Sequence, residues 1–176
     1  MNHVIKSLID CDLTNSSLRK LVFNCGDEQD EQELSRYLKQ YALKNDLLGV
    51  AKTFVAITDD KQVLGYYTLS ASLINFSESF IKENKLPSYP IPVVLIGKLA
   101  VQQDCQGTGL GKSLMRDAFL RTVELSKNIG IYAIRVDPSN ESKQSYYVQK
   151  LGFITLNENL SVFLPLETIR KAIYSK

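Results

Sequence analysis

Between Pro92 and Met115 an apolar run, Pro-Val-Val-Leu-Ile-Gly-Lys-Leu-Ala-Val, passes through Gln-Gln-Asp-Cys into Gln-Gly-Thr-Gly-Leu-Gly-Lys-Ser-Leu-Met. This order predicts a buried strand (Val93 to Val101), a short polar turn, a glycine-rich loop (Gln106 to Gly111) and the start of an amphipathic helix. A strand that feeds a glycine-rich loop opening a helix directs successive backbone N–H groups outward, with the positive end of the helix dipole behind them. That arrangement suits a phosphate ligand. A nucleotide P-loop would need its first glycine at position 106, which is Gln106. A dinucleotide fingerprint would need glycines at 107, 109 and 112, and Lys112 breaks it. The pattern that fits without repair is Gln-x-x-Gly-x-Gly at Gln106, Gly109 and Gly111, with an ordinary strand-to-helix turn as the plain alternative.

The rest of the chain predicts an α/β domain. Residues 3 to 9 predict a first strand anchored by Val4 and Ile5, with the single histidine, His3, as a solvated neighbour. Asp27 is suited to cap a helix whose first turn carries Glu28, Asp30 and Glu31. Leu34, Tyr37, Leu38 and Tyr41 extend that helix to about Leu43. Runs from Thr53 to Thr58 and Val63 to Ser70 read as a hairpin about Asp59-Asp60-Lys61. Ser72 to Pro92 is expected to be irregular, since Pro87, Pro90 and Pro92 exclude a continuous helix at its end. After the glycine loop a helix runs to about Ser126. A strand follows at Ile131 to Val136, then a short helix from Glu141 to Lys150 ended by Gly152. A strand near Ser161 to Leu164 and a helix from Pro165 close the chain. The whole reads as one domain, residues 1–176, a mixed twisted sheet of about six to seven strands flanked by helices.

Composition narrows the function classes. A net charge of +2 does not mark a nucleic-acid binder by itself, yet Lys98 to Lys150 holds eight Lys/Arg against five Asp/Glu, while Asp27 to Glu33 is acidic. Three dispersed cysteines (Cys11, Cys25, Cys105) argue against a disulfide framework and against a metal site. No apolar run approaches the roughly 18 residues of a membrane span. The N-terminal stretch lacks a secretory pattern, so a cytoplasmic protein is expected.

Four further segments accompany the loop: Phe-Asn-Cys-Gly at 23 to 26, Leu-Gly-Tyr-Tyr-Thr-Leu-Ser at 64 to 70, Leu-Pro-Ser-Tyr-Pro-Ile-Pro with Ile-Gly-Lys-Leu-Ala-Val at 86 to 101, and Phe-Leu-Pro-Leu at 163 to 166. Together they resemble the GNAT N-acetyltransferases over nearly the whole chain, and most closely the GNAT toxins of type II toxin–antitoxin pairs, which acetylate aminoacyl-tRNA. The resemblance implies a GNAT-like fold, acetyl-CoA as cosubstrate, no metal, a DNA-binding antitoxin of ribbon-helix-helix type, and a homodimer as one possible assembly. It implies that Leu99, Ala100 and Val101 meet the pantetheine arm, that Gln106, Gly107, Thr108, Gly109, Leu110, Gly111 and Lys112 hold the pyrophosphate, and that Asn140 bonds the CoA arm. Tyr147 matches the tyrosine that protonates the departing thiolate. Tyr146 stands where the family usually has Phe, and Pro138 where it has a small residue.

The chemistry is consistent with such an acceptor. Lysine, with a pKa near 10.4, is mostly protonated at neutral pH and needs a base, whereas an α-amine at about 7.7–8.0 is already partly neutral. The central strand holds Gly97-Lys98 and no carboxylate until Asp104. Positioning and a tyrosine acid would then suffice. Arg36, Lys39, Lys98, Arg116, Arg135 and Lys150 are the candidates for contact with the tRNA backbone. A GNAT enzyme acting on a protein or small-molecule amine is the alternative, and a P-loop NTPase ranks last.

Overall fold

The computed structural model describes residues 2–156 and 159–174. Among the described residues seven strands hydrogen-bond in the order β1-β2-β3-β4-β5-β7-β6 to form an open mixed sheet. They are β1 (Val4–Ser7), β2 (Lys52–Ile57), β3 (Val63–Ile74), β4 (Ile91–Val101), β5 (Ala133–Val136), β6 (Ile154–Thr155) and β7 (Val162–Pro165). The helices are α1 (Asn15–Arg19), α2 (Gln29–Gln40), α3 (Ala42–Leu47), α4 (Glu78–Asn84), α5 (Leu110–Leu125), α6 (Glu141–Leu151) and α7 (Leu166–Tyr174). The chain divides into two compact units, one built from residues up to Ser70 with Ile96–Ala118, the other from Ala71–Leu95 with the residues from Phe119 onward.

In the first unit, β1 and β2 are antiparallel, as are β2 and β3. The hairpin turns through Lys61, whose φ of 63° is left-handed, while the Thr58 hydroxyl donates to Asp60 and accepts from the Gln62 amide. The register slips by one residue between Ala56 and Ile57, a β-bulge that leaves Leu64 unpaired. Beside the bulge sits Gly65. A Cβ there would lie 2.9 Å from Leu114 Cδ1 and 3.0 Å from the Ala100 carbonyl, so the absent side chain admits the helix that follows the glycine loop. Leu8, Leu18, Phe23, Leu38, Val55 and Tyr66 fill the core. Tyr66 keeps its hydroxyl satisfied on the Leu34 carbonyl at 2.8 Å.

The expected strand at 3–9 is shorter, because Leu8–Cys11 winds into a 3-10 turn closed by Asp12 in the left-handed region. Thr14 then caps α1 by accepting from the Ser17 amide, a helix the sequence reading did not include. The cap of α2 is Glu28 rather than Asp27: the Glu28 amide donates to Glu31 Oε2 at 3.1 Å, and Asp27 contributes its carbonyl to Gln32. That helix stops at Gln40 and does not reach Leu43, since Tyr41 leaves helical geometry before α3 begins. In α3 the fully buried Asp46 accepts from the Thr53 amide and from Lys52 Nζ, both at 2.8 Å, and so ties the helix to β2.

In the second unit, β5 pairs antiparallel with β7, and β7 with β6. Ile74, Val93, Ala133 and Phe163 form its core, with Phe76, Phe80 and Tyr132 packed against them. Ser72 to Pro92 is largely regular: β3 runs on to Ile74, Ser77 caps α4 by accepting from the Phe80 amide, and β4 begins at Ile91. The prolines confine themselves to the connection after α4 and to β4. The expected helices at 110–126 and 141–150 agree with α5 and α6 to within a residue, and β5 starts two residues later than expected.

Candidate active site

The first unit carries the glycine loop. After β4 the chain makes one 3-10 turn (Gln103–Cys105) and enters Gln106–Gly109, with φ of 74° at Gly107 and 92° at Gly109. Both angles lie where a side chain is disfavoured, and a Cβ at either position would meet nothing within 4 Å. Glycine is therefore required by the backbone there and leaves open space above it. Gly111, already in α5, has ordinary packing, 3.7 Å from Val101. Thr108 Oγ1 donates to the Cys105 carbonyl at 2.7 Å and closes the turn. Among the described residues the amides of Gly107 to Lys112 have no acceptor outside the helix, and the first amides of α5 have none within it. They stand at the positive end of a sixteen-residue helix. This donor set fits a pyrophosphate.

Gln106 makes its contacts within the chain. Its side-chain amide donates to the Cys25 carbonyl at 2.7 Å and to the Val101 carbonyl at 3.2 Å, and its backbone amide donates to Gln103. Gln106 thus braces the loop against the segment preceding α2. Gln102 adds to the same brace, accepting from the Asn24 amide at 2.8 Å. Leu99 and Val101 are half-buried on the tail of β4, Ala100 is buried between them, and Lys112 is exposed.

In the second unit α6 holds the side chains with chemistry. Asn140 is its cap, with Oδ1 accepting from the Lys143 amide at 2.9 Å, so one lone pair of the oxygen is committed to the helix. Pro138, just before the cap, is buried. Tyr147 is half-buried, edge-on to Phe153 at 5.4 Å and to the exposed Tyr146 at 5.8 Å. Burial, with a smaller contribution from Tyr146, pushes the Tyr147 phenol up to about 12. It keeps its proton at any physiological pH, the state a general acid needs.

The cationic residues fall into separate groups. Lys98 lies over the Tyr37 ring at 4.6 Å, which places it beside the helix that carries the exposed Arg36 and half-buried Lys39. Arg116 is exposed on α5 and Lys150 on the last turn of α6. Arg135 is engaged: Nε donates to Asp137 at 2.8 Å and its terminal nitrogens to the Leu73 carbonyl at 3.2 Å and Ser161 Oγ at 3.3 Å.

Sequence reasoning missed a cavity in this second unit, about 610 Å3, bounded by Leu73, Phe76, Phe80, Arg135, Ile154 and Phe163 among others. No motif marks it; its walls come from four separate stretches of chain, and the one available signal was the cluster of Phe76, Phe80 and Phe163. Among the described residues no group of three or more His, Cys, Asp or Glu could hold a metal ion, and no helix is long and apolar enough to cross a membrane.

Residues 50–155 match the family model for the acetyltransferase (GNAT) domain, a span that includes the glycine loop, Asn140 and Tyr147. A tRNA-acetylating toxin of Mycobacterium tuberculosis is 32% identical over 143 residues, covering 81% of this chain and 86% of the relative. The structure is similar to that of AtaT complexed with acetyl-methionyl-tRNAfMet (TM-score 0.81, 27% identity, 98% of this chain and 99% of the other). It is similar also to AtaTR bound with acetyl-CoA (TM-score 0.78, 28% identity, 98% of each chain). The loop, the tyrosine-bearing helix and these likenesses place the chain in the GNAT acetyltransferase family.

Proposed function

We propose that this chain transfers the acetyl group of acetyl-CoA to the α-amino group of aminoacyl-tRNA, acting as a toxin that blocks translation until a cognate antitoxin covers it. The observation that carries the reading is that one chain holds both an outward-facing set of loop amides and a tyrosine that cannot ionise near neutral pH. The named relatives supply the acceptor: one is a tRNA-acetylating toxin and another is complexed with acetyl-methionyl-tRNA.

The amides of Gly107 to Lys112 would bind the pyrophosphate, and the backbone of Leu99 to Val101 would take the pantetheine arm as an added strand. Acetyl-CoA brings the acyl group as a thioester. The nitrogen–carbon bond forms as the carbon–sulfur bond breaks. Tyr147 gives its phenolic proton to the departing sulfur, and the amine proton passes to water, from which the phenolate is reprotonated. No carboxylate base is required, since an α-amine is partly neutral near pH 8. Arg36, Lys39, Lys98, Arg116 and Lys150 would meet the tRNA backbone, and Arg135 would act from its fixed position. One structural relative, the AtaT toxin, is bound to the C-terminus of the antitoxin AtaR, another belongs to a KacTA–DNA complex, and the partner proposed here is a DNA-binding antitoxin of ribbon-helix-helix type. A homodimer is the assembly proposed for the free chain, to be read by sedimentation.

The test is transfer of labelled acetyl from acetyl-CoA to total charged tRNA, with deacylated tRNA as control. Label that requires charging is expected. No label from a protein shown to bind acetyl-CoA would sink the reading and favour a protein or small amine as acceptor.

A further inference from the structure

The cavity of the second unit has no part in the steps above. Its floor is set by strand register. Arg135 pairs with Phe163, and Phe163 with Ile154, so the three side chains form one row on a single face of β5, β7 and β6. Phe76 and Phe80 stand beside the row, stacked on each other at 4.5 Å and each edge-on to Phe163, at 5.0 and 5.5 Å. Asn75, Ser77, Thr155 and Asn159 bring hydrogen-bonding groups to the same space.

Arg135 is the one charged side chain among the described lining residues. Three of its five N–H groups are used in the contacts given above, and Asp137, which takes Nε, is itself bonded by Ser161 Oγ at 2.5 Å. The guanidinium therefore offers two donors in a fixed direction with its charge largely balanced. Such a group selects an oriented acceptor more than a bare anion.

Volume sets an upper size for the occupant. At about 30 Å3 for each water-sized group, 610 Å3 takes roughly twenty heavy atoms. That exceeds any amino-acid side chain and is about the size of a nucleoside monophosphate. An apolar side chain would leave the two remaining guanidinium donors unused, whereas a nucleotide has a flat base for the phenyl rings and acceptors for those donors. The cavity is coupled to the helix that carries Tyr147 at two points: β6 begins two residues beyond Gly152, and Gln144 donates to the Leu160 carbonyl beside Asn159.

We infer that this cavity receives the 3′-terminal nucleotide of the acceptor RNA, with its base against Phe76 and Phe80 and its polar edge toward Arg135 and Asn159. The inference rests on the function proposed above. In it the esterified amino acid extends from the seated ribose, so the enzyme recognises the terminal nucleoside independently of the amino acid's side chain.

Adenosine 5′-monophosphate is the probe. It is titrated into the whole protein saturated with CoA, which occupies the other adenine-binding position, and the isoleucine methyl resonances are followed with ribose 5-phosphate as the base-free control. The expected result is a ring-current shift at Ile154 and Ile74 with the nucleotide alone. In acetyl transfer to charged tRNA, Phe80→Leu should raise KM about tenfold with kcat held within about twofold, and Phe80→Tyr should restore it. Phe80→Leu keeps the apolar volume, so a packing role alone would leave KM unchanged. Transfer by the wild type with no nucleotide shift at Ile154, or with KM unchanged in Phe80→Leu, would overturn the cavity assignment while leaving the acetyl transfer standing. Absence of transfer to any charged tRNA by the wild type would overturn the function on which it rests.

Discussion

The two units bring different materials to one enzyme. In the first, the groups proposed to face a ligand are backbone amides, and the side chains around them (Gln102, Gln106, Thr108) brace the loop from behind. In the second, the backbone is a support, and the proposed roles fall to side chains: the Tyr147 phenol, the Asn140 amide and the row of Arg135, Phe163 and Ile154. A site made of amides depends on glycine and on helix phase, and it tolerates change in most neighbours. A site made of side chains depends on each residue it uses.

The largest effect should come from the second unit. Tyr147→Phe is expected to lower turnover by about 10²–10⁴ while leaving acetyl-CoA affinity unchanged, as measured by single-turnover kinetics and calorimetry. An equal loss in both would move Tyr147 from chemistry to binding. In the wild type the rate should rise with pH through the acceptor amine near pH 7.7–8.0 and show no falling limb from Tyr147 until pH approaches 12. Linkage gives a matching stability signature. The folded pKa is raised above the ordinary value of 10.0, so the contribution of the neutral phenol is complete below pH 10 and is lost as pH rises toward 12. Urea midpoints of wild type and Tyr147→Phe compared across that window would show it.

Asp46→Ala tests whether the first unit depends on any side chain for its fold. It strands the Thr53 amide and unpairs Lys52, and should cost about 2–3 kcal/mol in denaturant unfolding; a cost under half of that would mean that solvent reaches the site. Gly109→Ala probes the amide cradle by strain alone, since no atom stands in the way of the methyl. A cost of about 1–2 kcal/mol is expected, read as weaker acetyl-CoA binding with turnover preserved at saturation. Gln106→Ala is the mildest change, a loss of about 1 kcal/mol in acetyl-CoA affinity as the brace to Cys25 and Val101 is removed. An unchanged affinity would show that Thr108 and the two glycines hold the loop unaided.

The same contrast explains what the sequence could reveal. The amide cradle was legible because positive φ leaves a direct trace: Gly107 and Gly109 are glycines for a backbone reason, and the helix period after them is plain. The role proposed for Tyr147 rests on resemblance to a family, because nothing in its local pattern separates an acid from a packed ring. The bracing contacts of Gln106 were not legible, since a side chain that faces Cys25, eighty-one residues away in the chain, cannot be told from one that faces a ligand. The cap of α4 at Ser77 was present in the sequence but was outweighed by the prolines that follow. The cavity was invisible for a simpler reason: the register that aligns Arg135, Phe163 and Ile154 is a property of the folded sheet.

Gly65 contributes no hydrogen-bonding side chain, yet a methyl there would press on the buried Leu114 side chain and crowd the Ala100 carbonyl. Its φ is ordinary, so the restriction comes wholly from neighbours, and trimming Leu114 would relieve the shorter of the two contacts. A selection for cells that survive forced production of this protein should therefore recover Gly65 substitutions beside losses at Tyr147. Only the Gly65 survivors should then yield second-site revertants, and these should fall at position 114.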